Sequence, residues 1–191
     1  MKLIGKDSRT TPKESGNAKV AELGHVIISN GLTLGEIYRS TGKNLPGGLG
    51  NVTIAEMNSA LTKAERDPVA GISHALVKKD DKTGFGLHVA SVETGVNPHV
   101  HKEGDEDYII LEGRGTMWLA KVAFDEEKKI VGEWKPNEVS EGMVLTVPGG
   151  YAHRLENANG QDKPIKIAFT CPDSHLREDR YATPKPPGSK K

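Results

Sequence analysis

Runs of alternating apolar and polar residues, separated by glycines, limit the fold of this chain more than any other feature. The chain has 22 glycines in 191 residues, and the alternation begins near Gly71. Alternation is typical of strands with one buried face, and glycines are typical of the tight turns between them. We predict seven or more short strands, at residues 73–78, 86–92, 108–111, 116–122, 130–134, 144–147 and 165–170. Residues 71–175 should therefore form an all-β barrel or sandwich.

The two ends of the chain have a different pattern. Thr33 with Glu36, and Thr53 with Glu56, have the spacing of a capping box ahead of a short apolar periodicity. We therefore expect two short helices in an N-terminal extension that spans residues 1–70. Residues 176–191 end in a stretch rich in proline and lysine, which predicts a disordered C-terminal tail. The chain shows neither an internal repeat nor a domain linker, so a single core is expected.

Charge and composition exclude several classes of protein. Lys and Arg number 26 and Asp and Glu also number 26, so the net charge is zero and neither nucleic acid nor an anionic membrane is an expected partner. The apolar runs are too short to cross a bilayer or to form a signal peptide, which makes the cytoplasm the expected compartment, with a mature secreted form as the alternative. The single cysteine, Cys171, excludes an intrachain disulfide and a thiolate zinc site.

Two histidines and a glutamate have the spacing of metal ligands. His99 and His101 are separated by one residue, so a strand would place both imidazoles on the same face. A turn at residues 102–105 would return Glu106 beside them. A later strand and tight turn would bring His153 to the same place. Three nitrogens and one oxygen suit one divalent transition metal ion among Mn, Fe, Co, Ni, Cu and Zn, with Fe or Mn preferred.

Three other carboxylates lie close to Glu106 in sequence and compete with it as the ligand. They are Glu103, Asp105 and Asp107. Strand alternation would turn Asp107 to the face opposite Glu106, and Glu103 lies in the turn. Glu106 is therefore the preferred oxygen ligand.

These residues resemble the two signature motifs of the cupin superfamily. The first motif is matched by His99, His101, Glu106 and Gly113, and the second by Gly142, Pro148, Gly150, His153 and Asn157. One departure is that only three residues separate Gly95 from His99, where five are typical, so the loop before His99 should be shorter than usual. The resemblance covers about residues 73–174. It implies a double-stranded β-helix, or jelly-roll barrel, with the metal near one open end.

Other residues near the motifs are candidates for catalysis. Tyr108 should share the inward face of Glu106, where it could donate a hydrogen bond to a substrate or fill space. Arg154 and Trp118 could each border the pocket or face away from it. His88 could lie near the metal or be an ordinary core or solvated histidine. His25, His74 and His175 lie outside the motifs and lack ligand spacing. We therefore select Glu106, Tyr108 and Arg154 as the candidate catalytic residues.

Four protein ligands leave two positions open on a metal that prefers six, and an open site suits chemistry. We expect a metal-dependent enzyme acting on an oxygen-bearing small molecule, first of all an oxidoreductase of the dioxygenase type, with Glu106 as ligand and proton acceptor. Alternatives within the resemblance are a sugar isomerase or epimerase, a lyase, and a non-catalytic protein that binds metal or a small molecule. A homodimer is also expected, because cupin barrels often pair through their sheets.

Overall fold

The computed structural model describes residues 21–125, 129–160 and 162–189. Within these ranges the chain forms thirteen strands, two α-helices and one 3₁₀ helix. The strands are β1 (Ala21–His25), β2 (Glu65–Asp67), β3 (Ile72–Asp80), β4 (Phe85–Val92), β5 (His99–Val100), β6 (Glu106–Glu112), β7 (Arg114–Phe124), β8 (Lys129–Val131), β9 (Lys135–Ser140), β10 (Met143–Val147), β11 (Tyr151–Asn157), β12 (Ile165–Pro172) and β13 (Tyr181–Ala182). The helices are α1 (Leu34–Thr41) and α2 (Ile54–Leu61), and the 3₁₀ helix is Asp173–Leu176.

Two antiparallel sheets enclose the core. One has the strand order β1-β10-β6-β12-β4-β3-β2, and the other has the order β13-β5-β11-β7-β8, with β9 paired to β7. Side chains from both sheets, such as Ile110, Met117, Leu155 and Ile167, pack together between them. Each of the seven predicted segments overlaps a strand. The predicted all-β, double-stranded β-helix architecture is therefore confirmed.

Both predicted N-terminal helices are present, and each begins with a complete capping box. Leu34 and Ile37 of α1 and Ile54 and Met57 of α2 pack on the outer face of the larger sheet, together with residues such as Val89. Strands β1 and β2 pair with β10 and β3 of the same sheet. The part of the N-terminal extension from residue 21 onward is thus integrated into the barrel, while residues 1–20 lie outside the described residues. No helix in the described ranges is long and apolar enough to cross a membrane.

The segment after the last long strand corrects the prediction of a disordered tail over residues 176–191. Tyr181 and Ala182 form β13, which pairs with β5. Asp179 also accepts hydrogen bonds from the backbone N–H groups of Lys102 and Glu103, at 2.8 and 3.1 Å. These contacts join parts of the chain that are far apart in sequence, so local composition does not reveal them. The last two residues of the predicted tail, 190–191, lie outside the described residues.

Candidate metal centre

Strand pairing brings the four predicted ligands together at one end of the barrel. His153 in β11 lies directly opposite His99 in β5, and their rings are 4.3 Å apart between centroids. His101 follows β5, and Glu106 begins β6 in the other sheet. One ligand atom from each of these four residues lies within 4.8 Å of the others, and all four residues are buried. This group could hold a metal ion.

The turn before β11 delivers His153 to the cluster. Gly150 in this turn has a φ of +80°, a conformation that glycine adopts without steric strain. The preceding Gly149 is packed so closely against the turn after β5 that an added Cβ would lie 2.8 Å from the carbonyl oxygen of Gly104. The two glycines therefore allow the turn before β11 to pack closely against the turn between His101 and Glu106.

Backbone carbonyl groups fix the orientation of all three imidazole rings. Nδ1 of His99 lies 2.7 Å from the carbonyl oxygen of Asn97, and Nδ1 of His153 lies 3.2 Å from that of Tyr151. Nδ1 of His101 is hydrogen-bonded to the carbonyl oxygen of Asp179. A carbonyl oxygen only accepts, so each Nδ1 carries a proton, and Nε2 is the ring nitrogen that faces the cluster. This is the arrangement that metal-binding histidines commonly have.

Two buried polar atoms at the centre of the cluster lack a hydrogen-bond partner among the described residues. They are Oε2 of Glu106 and Nε2 of His153, which lie 3.3 Å apart. Nε2 of His101 is 3.5 Å from the same carboxylate oxygen. Unpaired buried polar groups cost free energy. A divalent cation between these atoms would satisfy them, so the residues present fit a metal ion.

The protonation states of the cluster also suit a cation. Burial alone would raise the pKa of Glu106, but the neighbouring imidazoles of His101 and His153 outweigh it and hold the pKa well below its usual value. Burial, together with the nearby His153, holds the pKa of His99 well below its usual value. At neutral pH the cluster therefore contains an ionised carboxylate and a neutral His99, as metal coordination requires.

A cavity of about 30 Å³ adjoins the cluster. This is room for about one or two water-sized groups. Besides three of the ligands, its lining is apolar at Ala70, Ile72, Val96, Ile167, Phe169 and Leu176. Its polar lining residues are Tyr108, Asp67, His74, His175 and Arg180. Several polar groups thus converge on a small, mainly apolar space beside the predicted metal position.

Tyr108 lies where the sequence pattern predicts, on the inward face of β6, two residues after Glu106. Its ring is 6.2 Å from that of His153 between centroids, and it lines the cavity. Burial, and then the negative charge of Glu106, raise its pKa well above the usual value. Tyr108 is therefore a neutral hydroxyl that can donate a hydrogen bond beside the ligand cluster.

Arg154 lies away from the cavity, which corrects its selection as a catalytic residue. His153 and Leu155 point into the barrel, so strand alternation turns Arg154 to the opposite face of β11. There its Nη1 donates a hydrogen bond of 2.9 Å to the carbonyl oxygen of Val96, in the loop before His99. An added Cβ at Gly95 would lie 2.8 Å from Nη2 of Arg154. Arg154 thus holds the short approach loop instead of contacting the metal cluster.

The competing carboxylate Asp107 faces away from the cluster, as strand alternation predicts. Its carboxylate accepts hydrogen bonds from Tyr38 Oη at 2.8 Å and Thr146 Oγ1 at 2.6 Å, and it also contacts Lys43. These contacts tie the α1 region to the outer face of the sheet.

Trp118 does not line the cavity. Its Nε1 donates a hydrogen bond of 2.9 Å to the carboxylate of Glu156.

Sequence reasoning missed the contribution of the C-terminal segment to the site. The ring of His175 stacks on His101 with centroids 3.8 Å apart, and its Nε2 lies 2.7 Å from the carbonyl oxygen of Glu103. Arg180 and Asp179 also lie at the site, as cavity lining and as the partner of His101. No local spacing connects these residues with the motifs, and the only available signal was a histidine close to the last predicted strand.

His88 and His74 lie on neighbouring strands near the cavity. His88 is buried and stacks on Phe169 with ring centroids 5.2 Å apart, but it does not line the cavity itself. Burial, followed by the nearby His74, lowers its pKa to about 4. His88 is thus a neutral core histidine packed behind the cavity wall.

Comparison with known proteins finds similarity at the level of solved structures. No protein-family model matches the chain, and no curated protein matches it in sequence. A protein with a double-stranded β-helix domain from Klebsiella pneumoniae is 13% identical, with 68% of this chain and 95% of that chain covered and a TM-score of 0.45.

Two further solved structures have similar scores. A cupin-2 domain protein from Shewanella frigidimarina is 18% identical, with 60% of this chain and 90% of that chain covered and a TM-score of 0.41. Hydroquinone 1,2-dioxygenase from Sphingomonas sp. TTNP3 is 16% identical, with 49% of this chain and 61% of that chain covered and a TM-score of 0.40. The two antiparallel sheets around the inward-facing ligand cluster give this chain a double-stranded β-helix fold, and the two motifs that supply the cluster resemble those of the cupin superfamily.

Proposed function

We propose that this chain is a mononuclear metal-dependent enzyme that acts on an oxygen-bearing small molecule, with a dioxygenase-type oxidation as the first reaction to test. The observation that carries the proposal is the pair of buried, unpartnered atoms, Oε2 of Glu106 and Nε2 of His153, beside a cavity. With His99 and His101 they form a set of four ligands that leaves two positions open on a six-coordinate ion. A bound divalent ion, with Fe or Mn preferred, would supply a Lewis acid or redox centre there.

The residues around the cluster have roles that support catalysis. Glu106 holds a negative charge at the centre of the site and can accept a proton when the substrate loses one. Tyr108 presents a neutral hydroxyl that can donate a hydrogen bond to an oxygen of the substrate. The apolar wall excludes water, which strengthens both interactions and limits side reactions.

A non-catalytic module that binds metal or a small molecule is the second candidate. The small cavity of about 30 Å³ favours this alternative, because it leaves little room for a substrate in the present conformation. The polar residues that line the cavity favour the first candidate, a metal-dependent enzyme. Tyr108, His175 and Arg180 all border the cavity, whereas a simple binding pocket would need fewer converging polar groups. Sugar isomerase, epimerase and lyase reactions use the same kind of open metal site and are further candidates.

The variant Glu106→Gln separates these candidates. Glutamine keeps the shape and an oxygen ligand but removes the negative charge and the proton acceptor, while three imidazoles remain to hold the ion. For an enzyme, turnover per bound metal should fall on the order of a hundredfold or more. Oxygen consumption with diketone, thiol and diol substrates should be measured beside metal content. Full turnover per bound metal in this variant would contradict the catalytic role of Glu106.

Glu103→Gln is the matched control. Glu103 lies in the turn before Glu106, and its carboxylate is exposed. The Glu103→Gln variant should therefore keep the wild-type metal content and turnover. If no substrate is turned over and small-molecule affinity simply follows metal occupancy in Glu106→Gln, the binding module is the better description.

We also propose that the protein is a homodimer. Three large apolar side chains, those of Ile27, Val69 and Leu76, are more than half exposed, with exposures of 89%, 66% and 53%. Exposed apolar side chains support association through a protein interface when they form a patch. Light scattering should then give twice the chain mass of 20.6 kDa. A mass equal to one chain over a wide concentration range would contradict the dimer.

A further inference from the structure

Arg180 is the one arginine or lysine that lines the cavity in the described part of the chain. Its side chain is mostly buried, with 11% of its surface exposed. Tyr108 lines the same cavity, so the guanidinium and the hydroxyl beside Glu106 border one space. A guanidinium is poorly placed in an apolar wall unless an anion accompanies it.

The neighbours of Arg180 in sequence fix its position relative to the ligand cluster. Asp179 is bonded to Nδ1 of the ligand His101 and to the backbone of the turn that follows it. Tyr181 is in β13, where it pairs with Val100 between the two ligand histidines. Arg180 is thus held between two anchored residues, as a preorganised binding group should be.

Asp67 is the ion-pair partner of Arg180, and this contact leaves donors on the guanidinium. Nη1 of Arg180 lies 3.1 Å from Oδ2 of Asp67. Oδ1 of Asp67 already accepts from the backbone N–H groups of Val69 and Ala70, at 2.7 and 3.1 Å. A guanidinium has five N–H donors, and the bond to Asp67 is the one hydrogen bond of Arg180 among the described residues. Asp67 therefore orients Arg180 without saturating it.

The charges around the cavity make Arg180 its cationic group. Burial would raise the pKa of Asp67, but hydrogen bonds from Ala70 and Arg180 outweigh it and lower the pKa, so Asp67 is ionised. Glu106, Asp67 and the carboxylate of Asp179 beside His101 contribute three negative charges, and Arg180 and a divalent ion would contribute three positive ones. The occupied site is then neutral before a substrate binds, and Arg180 is the one arginine or lysine among the described residues that can meet an anion in the cavity.

We infer that Arg180 binds the carboxylate of the substrate, and that the substrate is a small monocarboxylic acid with a second oxygen that reaches the metal. Two parallel N–H···O bonds between a guanidinium and a carboxylate give both affinity and orientation. This inference rests on the proposed metal-dependent function and specifies its substrate class. The alternative is that the pair of Arg180 and Asp67 only ties the C-terminal segment to β2.

The test compares a carboxylate probe with a neutral probe of nearly the same shape. Binding of pyruvate and of pyruvamide to the Mn²⁺-loaded full chain is measured by calorimetry for the wild type and for Arg180→Gln. The preference for pyruvate over pyruvamide should fall on the order of tenfold to a hundredfold in the variant, with metal content unchanged. Arg177→Gln is the matched control, because Arg177 is exposed in the same segment and does not line the cavity. It should keep the wild-type preference.

Arg180→Lys keeps the folded segment and the charge but loses the planar pair of donors, so it should retain part of the preference. An unchanged preference in both Arg180 variants would overturn the inference, as would a wild type that binds both probes equally. In these two cases the proposed function stands, since pyruvamide still binds the metal-loaded protein. If neither probe binds the wild type, the inference fails, while the proposed function is decided separately by metal content and by turnover in Glu106→Gln.

Discussion

The backbone carbonyl group of Asp179 is hydrogen-bonded to Nδ1 of His101, although 78 residues separate the two in sequence. The carboxylate of Asp179 at the same time accepts two backbone N–H groups from the turn that begins at Lys102. One residue of the C-terminal segment thus orients the candidate ligand His101 and holds the turn that leads to Glu106. The C-terminal segment is therefore part of the candidate metal centre.

Replacing Asp179 by alanine should weaken metal binding without unfolding the barrel. The variant loses both bonds to the turn, so the segment that supplies the carbonyl partner of His101 is no longer fixed. Outer partners of metal ligands typically contribute tenfold to a hundredfold in affinity. Competitive titration with Zn²⁺ against a chelator measures the loss. Glu178→Ala, an exposed neighbour, is the control, and equal affinity in the two variants would contradict this role.

Replacing Arg154 by methionine should lower the free energy of unfolding and leave metal content and turnover per bound metal unchanged. The change leaves the carbonyl group of Val96 without its donor in a buried place, which costs about 1–3 kcal/mol in free energy of unfolding. Urea unfolding at neutral pH measures the loss, and elemental analysis should show unchanged metal content. Arg177→Met is the control for removal of an exposed arginine. A variant with normal stability and reduced turnover per metal would restore Arg154 as a catalytic candidate.

The free energy of unfolding of the metal-free protein should depend on His88 in mildly acidic solution. Burial lowers the pKa of His88 from 6.5 to about 4, so between these values the unfolded chain binds a proton there and the folded protein does not. Stability should therefore fall as the pH drops through this window. The gap between the two pKa values corresponds to a contribution on the order of 3 kcal/mol.

Urea unfolding at pH 7 and pH 4.5 tests this dependence in the wild type and in His88→Gln. Because glutamine does not titrate, the variant should lose less stability between the two pH values than the wild type. His25→Gln is the control, since His25 is exposed and should behave as the wild type does. A parallel loss in the wild type and in His88→Gln would show that His88 is not responsible.

Local patterns were sufficient for seven of the thirteen described strands, for the helix caps and for the clustering of the candidate ligands. The spacing of His99 and His101 fixes a shared face, and the capping box at Thr33 and Glu36 fixes a helix start, because both depend on residues a few positions apart. The same rule of alternation also predicts that the side chain of Arg154 points away from the cavity. Since His153 points inward, its neighbour in the strand must point outward.

The contribution of the C-terminal segment could not be predicted in this way. The pairing of β13 with β5 uses backbone groups, which carry no signature in the side chains. The position of His175 against His101 depends on that pairing and on the turn at Glu103. A composition rich in proline and lysine favours disorder for an isolated segment, but long-range hydrogen bonds outweigh this tendency.

The most direct test of the account is the metal content of the purified protein. Elemental analysis of the wild type should give about one divalent transition metal ion per chain, since one buried set of four ligands exists in the described part of the chain. His101→Ala and His153→Ala should each lose most of that metal, because each removes an imidazole from the cluster. His25→Ala, a change at an exposed histidine outside the cluster, should retain it. Unchanged metal content in both ligand variants would contradict the proposed metal centre.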